Sequence, residues 1–99
     1  MDFSDDMIQS VWEKGIIVKG YNPDVLRKDH WGAWIIKNHY GTCKSEYSWE
    51  VDHISPQSDG GTDDISNLRP LQWENKTFRQ GTQFIGTVTS HFVNNIRVK

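Results

Sequence analysis

The spacing of apolar residues near the start of the chain predicts a helix. Met7, Ile8, Val11 and Trp12 recur three or four residues apart, so they share one face of a helix over about residues 5–13. Acidic and polar residues fill most positions between them. This is the pattern of a short helix that packs one face against a core.

Two shorter signals follow this helix. Ile16-Ile17-Val18 is β-branched throughout, which favours a short strand. Asn22-Pro23-Asp24 combines a capping residue with proline at a first helical position. That combination predicts one helical turn, which would run through Lys28.

From residue 31 onward the spacing becomes that of strands. Residues 33–37 and 47–53 are rich in aromatic and β-branched side chains, which predicts two strands. The polar segment 39–46 contains a glycine and lies between them, so we expect a hairpin with a long connection. Pro56 ends the second strand, because proline cannot donate to a strand ladder.

The second half of the chain alternates between polar and apolar segments. Residues 57–66 are too polar to pack and predict a loop, and residues 67–71 predict a short extended piece. A helix is expected over about residues 72–79. Residues 84–89 and 92–98 predict two further strands. The fold class is therefore α+β, with a short helix at the N-terminus and strands at the C-terminus.

Length and composition exclude several classes of protein. Ninety-nine residues suit one domain, residues 1–99, with an aromatic-rich core. Cys43 is the only cysteine, so an intrachain disulfide and zinc sites that need two cysteines are excluded. No apolar run approaches the ~20 residues of a membrane span, and the acidic N-terminus is unlike a signal peptide. We expect a cytoplasmic protein that does not associate with membranes.

The net charge of −2 conceals an asymmetry along the chain. Residues 1–64 carry twelve acidic and six basic side chains, whereas residues 65–99 carry one acidic and five basic ones. Binding to a polyanion responds to the local charge of a face rather than to the sum. The C-terminal third can therefore dock on a phosphate backbone, although its basic content is lower than that of a typical DNA-binding protein.

Four polar residues have the chemistry of a site. Asp52 and His53 end the second predicted strand, and Asn67 and Asn75 follow the histidine by 14 and 22 residues. Carboxylate and amide oxygens suit a hard cation such as Mg²⁺. A neutral imidazole can take a proton from water, and Asn67 can hydrogen-bond the imidazole or the backbone beside it. If the oxygens of Asp52 and Asn75 converge on one ion beside His53, the set supports metal-assisted hydrolysis of a phosphodiester.

The order of these residues resembles the HNH endonuclease family over about a third of the chain. The resemblance implies a ββα-metal core over about residues 47–80. Many members of that family carry two Cys-x-x-Cys pairs, which this chain lacks, so apolar packing is expected to hold its hairpin and helix together. The residues that match the family pattern are Glu50-Val51-Asp52-His53-Ile54, Pro56, Gly60-Gly61, Asn67-Leu68, Pro70-Leu71 and Asn75-Lys76.

The resemblance also implies a role for each site residue. His53 is the general base and Asn67 orients it. Asp52 and Asn75 are the ligands of one divalent cation, Mg²⁺ or Mn²⁺. The substrate implied is double-stranded DNA. A homodimer is a further expectation, because one such centre cuts one strand.

Basic residues on and near the last predicted helix are candidates for nucleic-acid binding. Asn75, Lys76 and Arg79 share a helix face with Gln72 at spacings of three and four residues. We expect Lys76, Arg79 and the nearby Arg69 to contact phosphates. The alternative is an ordinary solvated face.

Two other functions remain open from the sequence alone. The chain can be a nucleic-acid-binding module that uses this fold without turnover. It can also be an inhibitor or interaction protein whose acidic first two-thirds mimic the charge of a nucleic acid. An intact set of base, orienting residue and metal ligands favours the enzyme, and the low basic content favours the other two.

Overall fold

In the part of the chain that the structure describes, two short α-helices and four antiparallel strand pairs form an α+β fold. The computed structural model describes residues 3–80, 83–84 and 86–98. The helices and strands are α1 (Asp5–Trp12), β1 (Leu26–Lys28), β2 (Trp34–Ile36), β3 (Trp49–His53), β4 (Leu68–Gln72), α2 (Trp73–Thr77), β5 (Arg79–Gln80), β6 (Gln83–Phe84), β7 (Thr87–His91) and β8 (Asn94–Val98). Each strand pairs with its neighbour in the chain: β1 with β2, β3 with β4, β5 with β6 and β7 with β8.

Helix α1 packs the apolar face predicted from the sequence onto the core. The hydroxyl of Ser4 caps it by accepting a hydrogen bond from the Met7 backbone N–H at 3.2 Å. Trp12 is fully buried, and its ring lies 5.3 Å from that of Trp49, centroid to centroid. The core cluster consists of Val11, Trp12, Ile35, Trp49, Val51 and Leu68.

Residues 16–28 differ in part from the expectation. Ile16 forms a single antiparallel bridge with Lys28. The turn predicted after Asn22 forms, with the Leu26 backbone N–H donating to Asn22 O at 2.9 Å, but it ends before Lys28 because β1 occupies residues 26–28. Arg27 is buried, and its guanidinium donates to the backbone oxygens of Glu13 and Gly15 at 3.0 and 3.1 Å. These long-range contacts accompany the extended conformation of residues 26–28, while Asn22 caps the turn before them by accepting from the Asp24 backbone N–H at 2.9 Å.

The predicted hairpin between residues 33–37 and 47–53 is also wrong in its pairing. Strand β2 pairs with β1, which precedes it in the chain, and β3 pairs with β4, which follows it. Tyr40 instead meets Trp49 in a parallel bridge, so the chain does not return antiparallel to β2. The strands were predicted correctly in kind, and their partners were not.

Strands β3 and β4 and helix α2 follow one another in the chain, and no loop separates β4 from α2. The β3–β4 register places Asp52 opposite Arg69 and His53 opposite Leu68. Helix α2 begins directly after β4, and the Gln72 side chain caps it by accepting from the backbone N–H groups of Glu74 and Asn75. This sharp change from strand to helix brings α2 back over β3.

A buried polar network joins three parts of the fold. Asp29 is fully buried, and its carboxylate accepts hydrogen bonds from backbone and side-chain N–H groups. One oxygen binds the backbone N–H groups of Trp31 and Ala33, and the other binds Gln72 N and Asn75 Nδ2, each at 2.9 Å. The turn after β1, the start of α2 and, through Asn75, strand β7 are thereby held together.

The same network adds polar contacts to the apolar packing that the sequence predicts for this part of the fold. Leu71 is fully buried, as are Trp49 and Leu68, but Trp73 and Phe78 are only half-buried. Polar bonding therefore supplements apolar packing beneath α2. Burial raises the pKa of the Asp29 carboxyl, and the hydrogen bonds it accepts act in the opposite direction.

The C-terminal hairpin docks on the turn between β1 and β2. Gly32 has φ +87°, and a Cβ there would lie 2.8 Å from the hydroxyl oxygen of Thr89. The backbone N–H of Ser90 donates to Gly32 O at 3.0 Å. The predicted strand over residues 84–89 is realised as β6 and β7, with residue 85 outside the described residues.

Neither helix in the described part of the chain has the length and hydrophobicity needed to cross a membrane.

Candidate functional site

A cleft of about 260 Å³ opens where β3 ends and α2 passes over it. Strand β3 contributes its last two residues to the wall, and α2 and the residue after its cap contribute basic side chains. Adjacent residues of a regular strand point to opposite sides. Asp52 and His53 can both line one cleft because β3 ends at this point. The lining residues are Asp52, His53, Pro56, Gln57, Ser58, Lys76 and Arg79.

His53 is paired with a carboxylate that the sequence did not single out. Its Nε2 lies 2.6 Å from Oδ1 of Asp63, and the imidazole side chain is 18 % exposed. A carboxylate only accepts, so a neutral His53 carries its proton on Nε2 and its lone pair on Nδ1. Asp63 sits in the polar loop among several acidic residues, and spacing alone does not distinguish it from Asp59 or Asp64.

Asn67 holds the backbone beside His53 rather than the imidazole. Its Oδ1 accepts from Ser55 N at 2.8 Å, and its Nδ2 donates to Ser55 O at 3.0 Å and to Thr62 O at 2.7 Å. The Ile54 backbone N–H also donates to Asn67 O. Asn67 therefore ties the segment after His53 to the loop that carries Asp63, which is one of the two arrangements the sequence allowed.

Asp52 is buried and bound by two arginines. Arg79 Nη1 lies 2.7 Å from both carboxylate oxygens, and Arg69 Nε lies 2.8 Å from Oδ2. The Asp52 side chain is 3 % exposed. Arg79 also donates to the backbone oxygens of His53 and Ile54, so it fixes the end of β3.

Lys76 is the more exposed cation of the cleft. Its side chain is 41 % exposed, and Nζ donates to Val51 O at 3.1 Å and lies 3.5 Å from Glu50 Oε1. Both contacts lie on β3, so the ammonium group is held along the strand that carries Asp52 and His53. Lys76 was predicted from the sequence, and its place beside these two residues was not.

Residues 41–74 match the family model of the HNH endonucleases. The HNH segment covers about a third of the chain and contains Asp52, His53, Asp63 and Asn67. No curated protein and no solved structure gives a significant match. The family match confirms the resemblance inferred from the sequence and indicates a nuclease-type function.

Asn75 lies just beyond the HNH segment and does not join the cleft. It is fully buried, with Nδ2 donating to Asp29 Oδ2 at 2.9 Å and to Val88 O at 3.0 Å, and with Oδ1 accepting from Val88 N. Both ends of the amide are engaged on the side of α2 that faces β7. The expectation that Asn75 supplies a metal ligand beside Asp52 therefore disagrees with the structure.

Arg69 and Arg79 both bind Asp52, a contact that the sequence did not predict. Their side chains are 11 % and 8 % exposed and point to Asp52 instead of to solvent. The Arg69 guanidinium lies over the Trp31 ring, 5.1 Å from its centroid. Of the three predicted phosphate-binding residues, Lys76 is exposed, Arg79 lines the cleft and Arg69 is enclosed.

The residues that line the cleft do not fit the expected Mg²⁺ or Mn²⁺ ion. Asp52 already faces two guanidinium groups, and Asn75 binds elsewhere, so the two predicted oxygens do not converge. Lys76 and Arg79 add positive charge to the same walls. Among residues 3–80, 83–84 and 86–98, no three His, Cys, Asp or Glu side chains form a group that could hold a metal ion.

Proposed function

We propose that this chain is an endonuclease of HNH type that hydrolyses a phosphodiester bond of DNA in the cleft at the end of β3. The observation that carries the proposal is the His53–Asp63 pair at 2.6 Å, within the HNH segment. The succession of β3, β4 and α2 supports a core of the ββα-metal type. Double-stranded DNA is the proposed substrate, and cutting both of its strands would require two chains or two encounters.

The proposed reaction begins at the second ring nitrogen of His53. Because Asp63 accepts the Nε2 proton, Nδ1 can take a proton from water as that water attacks phosphorus. The carboxylate of Asp63 then stabilises the imidazolium that forms, as in other histidine–carboxylate pairs. The bond from phosphorus to the leaving oxygen breaks, and the products are a phosphate monoester and an alcohol. No step is assigned to a metal ion held by Asp52 and Asn75.

Asn67 has a positioning role in this proposal. Its three hydrogen bonds link Ser55 and Thr62, which flank the two members of the pair in sequence. The amide thereby keeps the Asp63 loop against the end of β3. Loss of such an orientation lowers the rate even when the base itself remains.

Nicking of supercoiled plasmid tests the proposal. We expect the wild-type chain to convert plasmid to the open circle and His53→Ala to lose about 10²–10⁴-fold in rate. His91→Ala, at the exposed tip of the C-terminal hairpin, is the matched control and should nick at the wild-type rate. A His53→Ala protein as active as wild type, with both proteins folded by circular dichroism, would refute the assignment.

A second candidate function is nucleic-acid binding without turnover. The observation that favours it is the enclosure of Asp52 by Arg69 and Arg79, which leaves the cleft without the expected pair of metal ligands. A gel shift with DNA in the absence of any nicking would select this function. Nicking that depends on His53 would exclude it.

A further inference from the structure

The cleft carries positive charge from the chain itself in the place where a divalent cation was expected. Arg79 contacts both oxygens of Asp52, and Lys76 lines the same cleft with its Nζ hydrogen-bonded to Val51 O. The position of α2 that faces the cleft is 76, one residue after the asparagine that the sequence had suggested. A lysine at that position cannot ligate a cation while it is protonated.

The charged side chains that line the cleft directly are mostly cations. The seven lining residues include one carboxylate, Asp52, and two cations, Lys76 and Arg79. The carboxylates of Asp63 and Glu50 contact His53 and Lys76 from outside this lining. Asp52 is compensated by Arg79 and by Arg69 behind it. A divalent cation would have to displace a guanidinium from Asp52 and then sit beside an ammonium group, and both changes are unfavourable at short range.

We propose that Lys76 and Arg79 replace the divalent cation, so that the cleft binds a phosphodiester and acts without a metal. This inference rests on the proposed nuclease function and specifies how its centre works. The two cations would hold the non-bridging phosphate oxygens and stabilise the charge that develops on them. Arg79 is fixed by Asp52 and by backbone oxygens, so it is organised before substrate arrives.

The hydrolysis balances without a metal. The water oxygen forms a bond to phosphorus, and its proton passes to His53 Nδ1. The phosphorus–oxygen bond to the leaving group breaks, and the leaving oxygen takes a proton from the Lys76 ammonium group. Solvent then returns a proton to Lys76 and removes one from His53.

Metal titration and nicking in chelator test this proposal by separate readouts. We expect MnCl₂ at up to millimolar concentration to leave the NMR signals of His53 and Asp52 unbroadened, and nicking to persist in EDTA. Selective broadening of those signals by Mn²⁺, or nicking that requires Mg²⁺ or Mn²⁺, would overturn the metal-free centre and leave the nuclease assignment intact. Absence of nicking under every condition would instead remove the nuclease function, and the Mn²⁺ titration would still decide whether the cleft binds a metal.

A lysine substitution tests the role of the ammonium group. Lys76→Gln should lower the nicking rate by about 10²-fold and reduce the salt dependence of binding to a short DNA duplex by about one phosphate contact. Lys19→Gln removes an exposed lysine that does not line the cleft, and it should change neither quantity. Equal behaviour of the two variants would contradict the proposal.

Discussion

A single nitrogen of Arg79, Nη1, lies 2.7 Å from each of the two carboxylate oxygens of Asp52. Both side chains are almost completely shielded from water, at 8 % and 3 % exposed. Removing one partner of such a pair leaves the other charge enclosed without compensation, which is more harmful than removing both. This relationship makes the end of β3 dependent on a residue that lies beyond α2.

Arg79→Gln should therefore reduce the free energy of unfolding by about 3–5 kcal/mol. The loss has two sources: Asp52 keeps only Arg69, and the backbone oxygens of His53 and Ile54 lose their donor. Urea denaturation measures the change. The double variant Asp52→Asn/Arg79→Gln should be more stable than the sum of the single losses predicts, and strict additivity would show that the pair is not coupled.

Asn75→Ala should destabilise the fold by roughly 2–6 kcal/mol, because it leaves two buried groups without their partner at about 1–3 kcal/mol each. These groups are the backbone N–H and C=O of Val88. Asp29 Oδ2 also loses one of its two donors and keeps the Gln72 N–H. Thermal unfolding measures the loss, with Asn94→Ala on the exposed strand β8 as the matched control. A site role without a structural role would leave the melting temperature of Asn75→Ala unchanged.

The buried carboxyl of Asp29 predicts how stability changes with pH. Its pKa is raised in the folded state, so the folded protein binds more protons than the unfolded chain between the unfolded value, about 3.9, and the raised value. Its contribution to stability is thus complete below the unfolded pKa and is lost as pH rises through the folded pKa. Other acidic groups also change the free energy of unfolding with pH. The quantity to compare is therefore the free energy of unfolding of wild type minus that of Asp29→Asn, measured by urea denaturation from pH 3 to 8.

Asp29→Asn should remove the contribution of the Asp29 carboxyl to the pH dependence of stability. It should also lower the free energy of unfolding at every pH. The asparagine Nδ2 would face the N–H groups of Gln72 and Asn75, which are donors too. A loss of about 1–3 kcal/mol is expected for the unsatisfied donors. An Asp29→Asn protein that is as stable as wild type at acidic pH would show that the network does not bear on folding.

Asp63→Asn should lower the nicking rate by about 10²-fold while preserving the fold. The amide oxygen can still accept from His53 Nε2, but it lacks the negative charge that stabilises an imidazolium. Asp59→Asn alters an exposed acidic residue of the same loop and is the matched control. If the two variants nick equally fast, the 2.6 Å contact between His53 and Asp63 has no part in the reaction.

The positions of His53 in the cleft and of Asn67 against the neighbouring backbone were predictable because they depend on chain order and on the place where a strand ends. The helix face that α2 turns toward the cleft was not predictable. Adjacent helix positions point in different directions, and the cap at Gln72 determines which of them meets the cleft. Asn75 therefore binds Asp29 and Val88 instead of joining the cleft, and Lys76 lines the cleft. The buried carboxylate of Asp29 was equally hidden from sequence reasoning, since its four donors come from residues 31 to 75.

Strand partners could not be assigned from hydrophobic spacing for a similar reason. Alternation identifies a strand and its buried face, whereas pairing depends on contacts made across the fold. Arg27 of β1 donates to backbone oxygens of residues 13 and 15, and this contact leaves no trace in the local pattern. The α+β class survives such an error, because it depends on which elements form and not on how they pair.

Gly61 passes so close to the end of β3 that a Cβ built on it would lie 1.8 Å from the carbonyl oxygen of Ser55. Even alanine at this position would push apart the two chain segments that Asn67 binds together. Among functional descendants of this sequence, position 61 should consequently stay glycine through selection, while Asp59, two residues earlier and exposed, drifts freely.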